Sequence, residues 1–149
     1  MRKTMLLLAG VLVATMAFAK DIEKKSSFQE LPEKAQTFLN TYFEGVKIKK
    51  VIKTIDEFNF VEEFDVVLAN KTQIEFDMVG SWNEIIVKSK KESMPRFIYP
   101  NKVNEAIDKQ FYNKKIVEVS NDGMEYEFKF KDGSEVTINA LGKVVEFEK

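Results

Sequence analysis

Residues 125–138 read EYEFKFKDGSEVTI, and this stretch decides the fold. In both of its halves apolar residues alternate with charged or polar ones, as expected for strands whose successive side chains point to opposite faces. Asp132-Gly133, between the halves, is typical of a tight hairpin turn because glycine readily adopts a positive φ. The stretch therefore predicts an antiparallel hairpin with one apolar and one polar face.

The same alternating pattern occurs elsewhere in the chain. Residues 64–78 alternate in the same way on both sides of a turn that contains Asn70. A further strand is predicted at residues 82–87 and another at residues 144–147, each shortly after a glycine. We therefore expect several short antiparallel strands, with one face buried and the other partly open.

Two other stretches have helical spacing. Apolar residues recur every three to four positions within residues 31–43 and again within residues 99–111, which places one apolar stripe along each helix. Pro32 suits the first turn of a helix, where no amide donor is needed, and Gly45 can adopt the left-handed conformation that ends it.

The two halves of the chain resemble each other. When Pro32 is placed on Pro100, the apolar positions of the two helices coincide. When Asn70 is placed on Asp132, the strand positions coincide as well, and the first half then carries about six extra residues near positions 54–61. We therefore predict an α+β fold that is a tandem repeat of a helix followed by a four-stranded antiparallel sheet, with the helices packed on one sheet face.

The N-terminus has the pattern of a secretory signal peptide. Arg2 and Lys3 precede an uncharged stretch that ends in the small-x-small sequence Ala17-Phe18-Ala19. About 15 uncharged residues are fewer than the roughly 20 that span a bilayer. We predict a signal peptide at residues 1–19, a first helix-plus-four-strand unit at residues 20–92 and a second at residues 93–149.

The composition argues against most kinds of catalysis. The 149 residues carry a net charge of -1 and include no histidine and no cysteine. The commonest general base, the thiolate nucleophile and the soft metal ligands are therefore absent. Removal of the signal leaves a charge of about -3, which does not favour nucleic acid. We expect no enzymatic activity, no cofactor and no metal.

These properties also suggest where the protein acts and on what. An exported chain without cysteine fits the bacterial periplasm or extracellular space, since it needs no disulfide. We expect the partner to be an envelope or extracellular protein or peptide, not nucleic acid. We also expect no integral membrane segment after signal removal.

Two acidic motifs leave alternatives open. Glu75 and Asp77 lie two apart on a predicted strand and should share its open face. One interpretation is a carboxylate-dependent hydrolase that uses Glu75 with Asp77 or Glu84, which requires two acids about 5 to 9.5 Å apart across a cleft. The other is a solvated sheet face, which needs no cleft. For calcium, no segment has the spaced acidic loop, and residues 121–123 are better explained as a hairpin turn.

Aromatic residues in the first half are candidate contacts. Phe58 and Phe60 lie in the extra residues and would share one face of a lengthened hairpin. If exposed they would be binding anchors, and otherwise they would cover the edge of the core. Trp82 allows the same two interpretations. Val67 is the kind of apolar residue that an interacting open sheet face would display.

The order of these motifs resembles a known family. A helix led by Leu31-Pro32, the turn Phe43-Glu44-Gly45, alternating strands and the segment Gly80-Ser81-Trp82-Asn83-Glu84-Ile85 are similar to the PepSY-like family of exported bacterial proteins. The resemblance covers nearly all of the chain after the signal. It implies a fold like that of the secreted beta-lactamase inhibitor protein, in which tandem units form a common concave surface. The second half departs at Gly142-Lys143-Val144, which has no tryptophan.

The resemblance also bears on function, since relatives suggest protein binding or protease inhibition. We expect a non-catalytic exported module, of an inhibitor-like kind, that binds a protein or peptide through the open sheet face and the first-half hairpin. The candidate partner-binding residues are Phe58, Phe60, Val67, Glu75, Asp77 and Trp82. The alternative is a carrier of a small apolar ligand between the two units, which would need a cavity of roughly 300 Å³ or more.

Overall fold

The computed structural model describes residues 21–149. The predicted signal peptide lies outside these residues. The described part contains a short 3-10 helix at Phe28–Glu30 and two α-helices, α1 (Glu33–Tyr42) and α2 (Asn101–Gln110). Its strands are β1 (Ile22–Lys25), β2 (Ile48–Ile55), β3 (Val61–Leu68), β4 (Thr72–Asp77), β5 (Trp82–Val87), β6 (Ile116–Asn121), β7 (Glu125–Phe130), β8 (Glu135–Asn139) and β9 (Val144–Glu148). Neither α-helix of residues 21–149 has the length and apolarity needed to cross a lipid bilayer.

All nine strands of the described chain form one antiparallel sheet in chain order. The two halves join where β5 pairs with β6, with Ile85 opposite Val119 at the centre of the contact. The predicted tandem repeat of a helix with its own four-stranded sheet was therefore wrong. Alternation along a strand specifies its two faces, but it does not specify which strands meet at an edge.

Strand β1 was also missed by the sequence analysis. All four of its residues are exposed, so Ile22–Lys25 carries no alternating apolar pattern. The strand is held by pairing with β2 at the edge of the sheet. The two predicted helices, in contrast, are confirmed by α1 and α2, because their apolar stripes are long and regular.

Both helices pack on one face of the sheet. A continuous row of buried residues crosses this face from β3 to β8, and each member lies opposite the next: Val66, Ile74, Ile85, Val119, Phe128 and Val136. Ala35 and Leu39 of α1 and Val103 and Ala106 of α2 belong to the same buried cluster. Each large apolar side chain buried in this way contributes about 1.5 to 3 kcal/mol. One core therefore stabilises both halves of the sheet.

Two hairpin turns fix the starts of the helices. Gly80, in the β4–β5 turn, has φ +88°, and a Cβ there would lie 2.8 Å from the backbone nitrogen of Ala35. Gly142, in the β8–β9 turn, has φ +82°, and a Cβ there would overlap the carbonyl oxygen of Lys102. Each helix therefore begins in contact with the backbone of a turn, which only glycine allows.

Replacing Gly142 with alanine should destabilise the protein by at least about 3 kcal/mol, because the left-handed conformation alone costs roughly 1 to 2 kcal/mol and the overlap with Lys102 adds to it. Gly133→Ala is the matched control, since Gly133 has φ +87° and no atom within 4 Å of an added Cβ. The free energy of unfolding in urea measures both. Equal losses in the two variants would contradict the contact.

Candidate functional site

The sheet face opposite the helices is acidic. On β3 to β8, the side chains that alternate with the core residues point to this face. The charged ones are carboxylates with the exception of Lys129. We call this surface the acidic face, and its carboxylates are Glu63, Asp65, Glu75, Asp77, Glu84, Glu118, Glu125, Glu127 and Glu135.

Three of these carboxylates form a row across adjacent strands. Asp65 lies opposite Glu75, and Glu75 lies opposite Glu84. Asn83 is the extra residue of an irregularity in β5, and its side-chain amide donates a hydrogen bond to Oε1 of Glu75 at 3.3 Å. Directly opposed residues have Cβ atoms only about 4.5 to 5.5 Å apart, so like charges in this row repel each other.

Glu84 is the most buried member of the row. Its side chain is 4% exposed, and its Oε1 is buried without a hydrogen-bond partner. Burial, followed by the neighbouring charges of Glu118 and Glu75, raises the pKa of Glu84 to about 8. Glu84 is therefore mostly protonated at pH 7.

Neighbouring carboxylates are shifted in the same direction. Burial and the charge of Glu75 raise the pKa of Asp65 to about 6 and that of Glu63 to about 7. Opposing positive charge comes from Lys129, whose Nζ lies 3.2 Å from Glu118 on the far side of the row. When its members are ionised, the Asp65–Glu75–Glu84 row therefore carries repulsion that the charge of Lys129 only partly offsets.

The predicted contact residues on the sheet have different surroundings. Glu75 lies at the centre of the acidic row. Oδ1 of Asp77 accepts hydrogen bonds from the backbone N–H groups of Val79 at 3.0 Å and Ser81 at 2.8 Å, so this carboxylate caps the β4–β5 turn. Val67 is half-buried on the acidic face, opposite Lys50 on one side and Gln73 on the other.

The aromatic candidates separate into exposed and buried residues. Phe58 is 71% exposed and Phe60 is 69% exposed, at the tip of the hairpin that joins β2 and β3. Oδ1 of Asp56 holds this tip by accepting the N–H groups of both phenylalanines, at 2.9 and 2.8 Å. Trp82 is 8% exposed and packs between Phe38, Tyr99 and Tyr126, as a core residue does.

A groove separates the two halves on the helix side of the sheet. Its volume is about 600 Å³, and we call it the interhelix groove. Side chains of α1 form one wall, Trp82 forms part of the floor, and Ile98 and residues 121–123 form the other side. The Lys34 ammonium donates to the Ser81 hydroxyl at 2.7 Å near the start of α1, and the Tyr42 hydroxyl donates to the Phe97 carbonyl at 3.4 Å near its end.

Neither described pocket places the candidate pair of acids of a carboxylate-dependent hydrolase in a cleft. Neither the interhelix groove nor a smaller pocket of about 240 Å³ beside the end of α1 is lined by Glu75 or Glu84. Within residues 21–149, no group of three or more acidic residues is arranged to hold a metal ion. Residues 121–123 form the β6–β7 turn, as the sequence predicts.

Sequence reasoning identified Glu75 and named Glu84 as its possible partner, but it did not identify the rest of the acidic row. Asp65 and Glu63 alternate with Phe64 and Val66, so the charge of that face could have been read from the strand pattern. The position of Glu118 beside Glu84 could not, because it depends on the pairing of β5 with β6.

Glu84→Gln should remove a pH dependence of stability. Because the pKa of Glu84 is raised above 4.5, the folded protein holds a proton that the unfolded chain releases. This stabilisation is complete below pH 4.5 and is lost as the pH rises through about 8. The glutamine stays neutral at every pH. The difference in the free energy of unfolding between variant and wild type should therefore shift in favour of the variant by at least about 1 kcal/mol from pH 5 to pH 9.

Urea unfolding at pH 5, 7 and 9 measures this gain. Glu105→Gln, at an exposed position of α2, serves as the control and should show no such trend. A difference between Glu84→Gln and wild type that is the same at every pH would show that Glu84 is already ionised in the folded protein.

Comparisons with known proteins found one matching family model and several similar structures. The sequence model of the family described as "Putative beta-lactamase-inhibitor-like, PepSY-like" matches residues 62–146. A crystal structure of a putative periplasmic protein of the DUF2874 family from Bacteroides vulgatus ATCC 8482 is 26% identical, with a TM-score of 0.72 over 85% of this chain and 97% of that chain. No curated protein matches the chain.

Two further crystal structures share the fold. A putative periplasmic protein of unknown function from Bacteroides vulgatus ATCC 8482 is 23% identical, with a TM-score of 0.73 over 87% of this chain and 100% of that chain. A putative calcium-regulated periplasmic protein from Bacteroides thetaiotaomicron is 21% identical, with a TM-score of 0.74 over 85% of this chain and 97% of that chain.

The family match spans more than half of the chain, and it confirms the resemblance found in the sequence. The protein is exported, to the periplasm or the extracellular space of a bacterium. It belongs to the PepSY-like family of beta-lactamase-inhibitor-like proteins.

Proposed function

We propose that this protein is a non-catalytic exported module that binds a cationic protein or peptide segment on its acidic face. The observation that carries the proposal is the Asp65–Glu75–Glu84 row, in which carboxylates lie opposite each other on three adjacent strands. Ionisation of the whole row is unfavourable in the free protein, and lysine or arginine side chains of a partner would relieve the repulsion between the ionised carboxylates.

The extent of the acidic face favours a macromolecular partner. The carboxylates are spread over β3 to β8, and six strands at a spacing of about 4.8 Å span roughly 24 Å. That width matches several side chains of a protein segment better than one small cation. Val67 adds an apolar contact on the same face, and Phe58 and Phe60 extend beyond its edge on the β2–β3 hairpin.

Binding of such a partner should be linked to proton release. The pKa values of Asp65, Glu63 and Glu84 are raised to about 6, 7 and 8, in part by neighbouring carboxylates. Positive charge placed on the face favours the ionised forms, so binding lowers these pKa values and expels protons. The affinity should therefore rise as the pH increases from 6 to 8.

The test is capture of partners from native envelope extract by wild type and by the double variant Asp65→Asn/Glu75→Gln, which keeps the side-chain shapes but removes two charges. We expect the double variant to capture at least fivefold less of the partner than wild type does. Wild type should capture less of the partner at pH 6 than at pH 8. Salt at about 0.5 M should also weaken capture, because it screens exposed charges.

Glu105→Gln removes one exposed carboxylate on the helix side and should capture as much as wild type. A partner that the double variant retains fully would show that binding does not use the acidic face.

The interhelix groove favours a second candidate function, the carriage of a small apolar ligand. Its volume of about 600 Å³ lies within the range of small-molecule sites, and Phe38, Tyr42 and Ile98 give it half-buried apolar walls. The groove lies where the two halves of the sheet meet, on the helix side, and it touches the acidic face only at Asp77 and Asn83. Both functions could therefore be present in one molecule.

Thr41→Trp should test this candidate, because Thr41 is an exposed residue of α1 that lines the interhelix groove and a tryptophan there would fill it. With N-phenyl-1-naphthylamine as the probe, we expect the variant to bind at least tenfold more weakly than wild type, as measured by fluorescence titration. Glu105→Trp on α2, outside the groove, should bind the probe as wild type does. Equal titrations for all three proteins would place the probe elsewhere.

A further inference from the structure

Five hairpin turns of the sheet share one geometry. In each, the fourth residue has a φ between +66° and +88°, and its N–H donates to the carbonyl of the first residue at 2.9 to 3.0 Å. The turns start at Asp56, Leu68, Asp77, Phe130 and Asn139. Because their backbones agree, the side chains at equivalent positions can be compared directly.

The third position of this turn differs between the two ends of the sheet. The β2–β3, β4–β5 and β8–β9 turns lie at one end, and they carry Phe58, Val79 and Leu141, of which Val79 is 59% and Leu141 82% exposed. The β3–β4 and β7–β8 turns lie at the opposite end, and they carry Asn70 and Asp132 at this position. The turn geometry itself therefore does not require an apolar residue there, and polar residues are the usual occupants.

Other exposed apolar residues lie at the same end. Met124 in the β6–β7 turn is exposed, as are Met78 and Phe60 beside the turn positions already named. We call the set Phe58, Phe60, Met78, Val79, Met124 and Leu141 the apolar rim. Successive hairpins at this end are two strands apart, so the rim extends for about 30 Å along the sheet. Exposed apolar side chains that are grouped along one edge in this way are typical of interaction sites.

The apolar rim is held in place before any partner arrives. Asp77 and Asn139 each accept two backbone N–H groups of their own turn through Oδ1, at 2.8 to 3.1 Å, as Asp56 does in the β2–β3 turn. In each case one of the two donors is the third residue of the turn, the one that carries the rim side chain. Ordered turns lower the entropic cost of binding.

The charges around the apolar rim indicate the chemistry of its partner. The rim-end turns carry five carboxylates against Lys143, and Lys34 and Lys102 lie beside these turns at the helix starts. The carboxylates are Asp56, Glu57, Asp77, Asp122 and Glu125, so negative charge is in excess. An anionic lipid surface would be repelled by these carboxylates, whereas a protein surface with apolar and cationic side chains would match both features. We propose that the apolar rim docks an amphipathic, cationic protein segment, so that it and the acidic face take the same partner. This inference rests on the proposed function for the charge of that partner.

The probe for this proposal is a synthetic decapeptide of alternating leucine and lysine, compared with one of alternating serine and lysine. Isothermal titration calorimetry should show that wild type binds the leucine peptide at least tenfold more tightly than the serine peptide. The triple variant Phe58→Ser/Val79→Ser/Leu141→Ser should lose this preference and retain its melting temperature, because the three side chains are exposed. Tyr112→Ser, which removes an exposed ring after the end of α2, should keep the preference.

Each other outcome has a definite meaning. No binding of the leucine peptide by wild type, or an unchanged preference in the triple variant, would overturn the docking role of the apolar rim. Binding of wild type to phosphatidylethanolamine–phosphatidylglycerol vesicles that the triple variant loses would assign the rim to lipid and overturn the protein partner.

The acidic-face double variant Asp65→Asn/Glu75→Gln separates this inference from the proposed function. If it weakens binding of both peptides and the triple variant does not change the preference, the acidic face binds and the apolar rim does not. If the triple variant alone loses binding, the apolar rim stands and the acidic face is not the binding surface.

Discussion

The pairing of β5 with β6 is the contact on which the rest of the structure depends. It joins four strands that follow α1 to four strands that follow α2, and it places Ile85 against Val119 in the middle of one core. The same contact brings Glu118 beside Glu84 on the acidic face and leaves Trp82 at the floor of the interhelix groove. Without it, neither the continuous acidic face nor the groove between α1 and the β6–β7 turn would exist.

The two faces of the sheet have opposite energetic roles. On the helix side, residues from every strand between β3 and β8 are buried and supply the stability of a chain that has no cysteine. On the other side, carboxylates lie opposite carboxylates, which a protein selected for stability alone would avoid. Raised pKa values lessen this cost, because a protonated Glu84 carries no charge to repel its neighbours.

Sequence reasoning predicted local structure well and long-range pairing poorly. Both helices were predicted because their apolar stripes are regular, and the hairpin at Asp132-Gly133 was predicted because its turn residues are distinctive. The single sheet was not, because hydrogen bonds between β5 and β6 leave no mark on the side-chain pattern of either strand. Of the candidate site, the exposure of Phe58 and the burial of Trp82 needed coordinates, since both residues are aromatic and both lie near turns.

The two outer strands of the sheet affect how copies of the protein meet. A sheet that is not closed ends in backbone donors and acceptors that can recruit a further strand. At one margin, Lys24 and Lys25 make up half of the four-residue β1, and at the other, Glu146 and Glu148 lie on the five-residue β9. Short strands with charged side chains are poor templates for fibre growth. The protein can therefore keep an apolar rim exposed in a crowded envelope with little risk of joining its neighbours through their backbones.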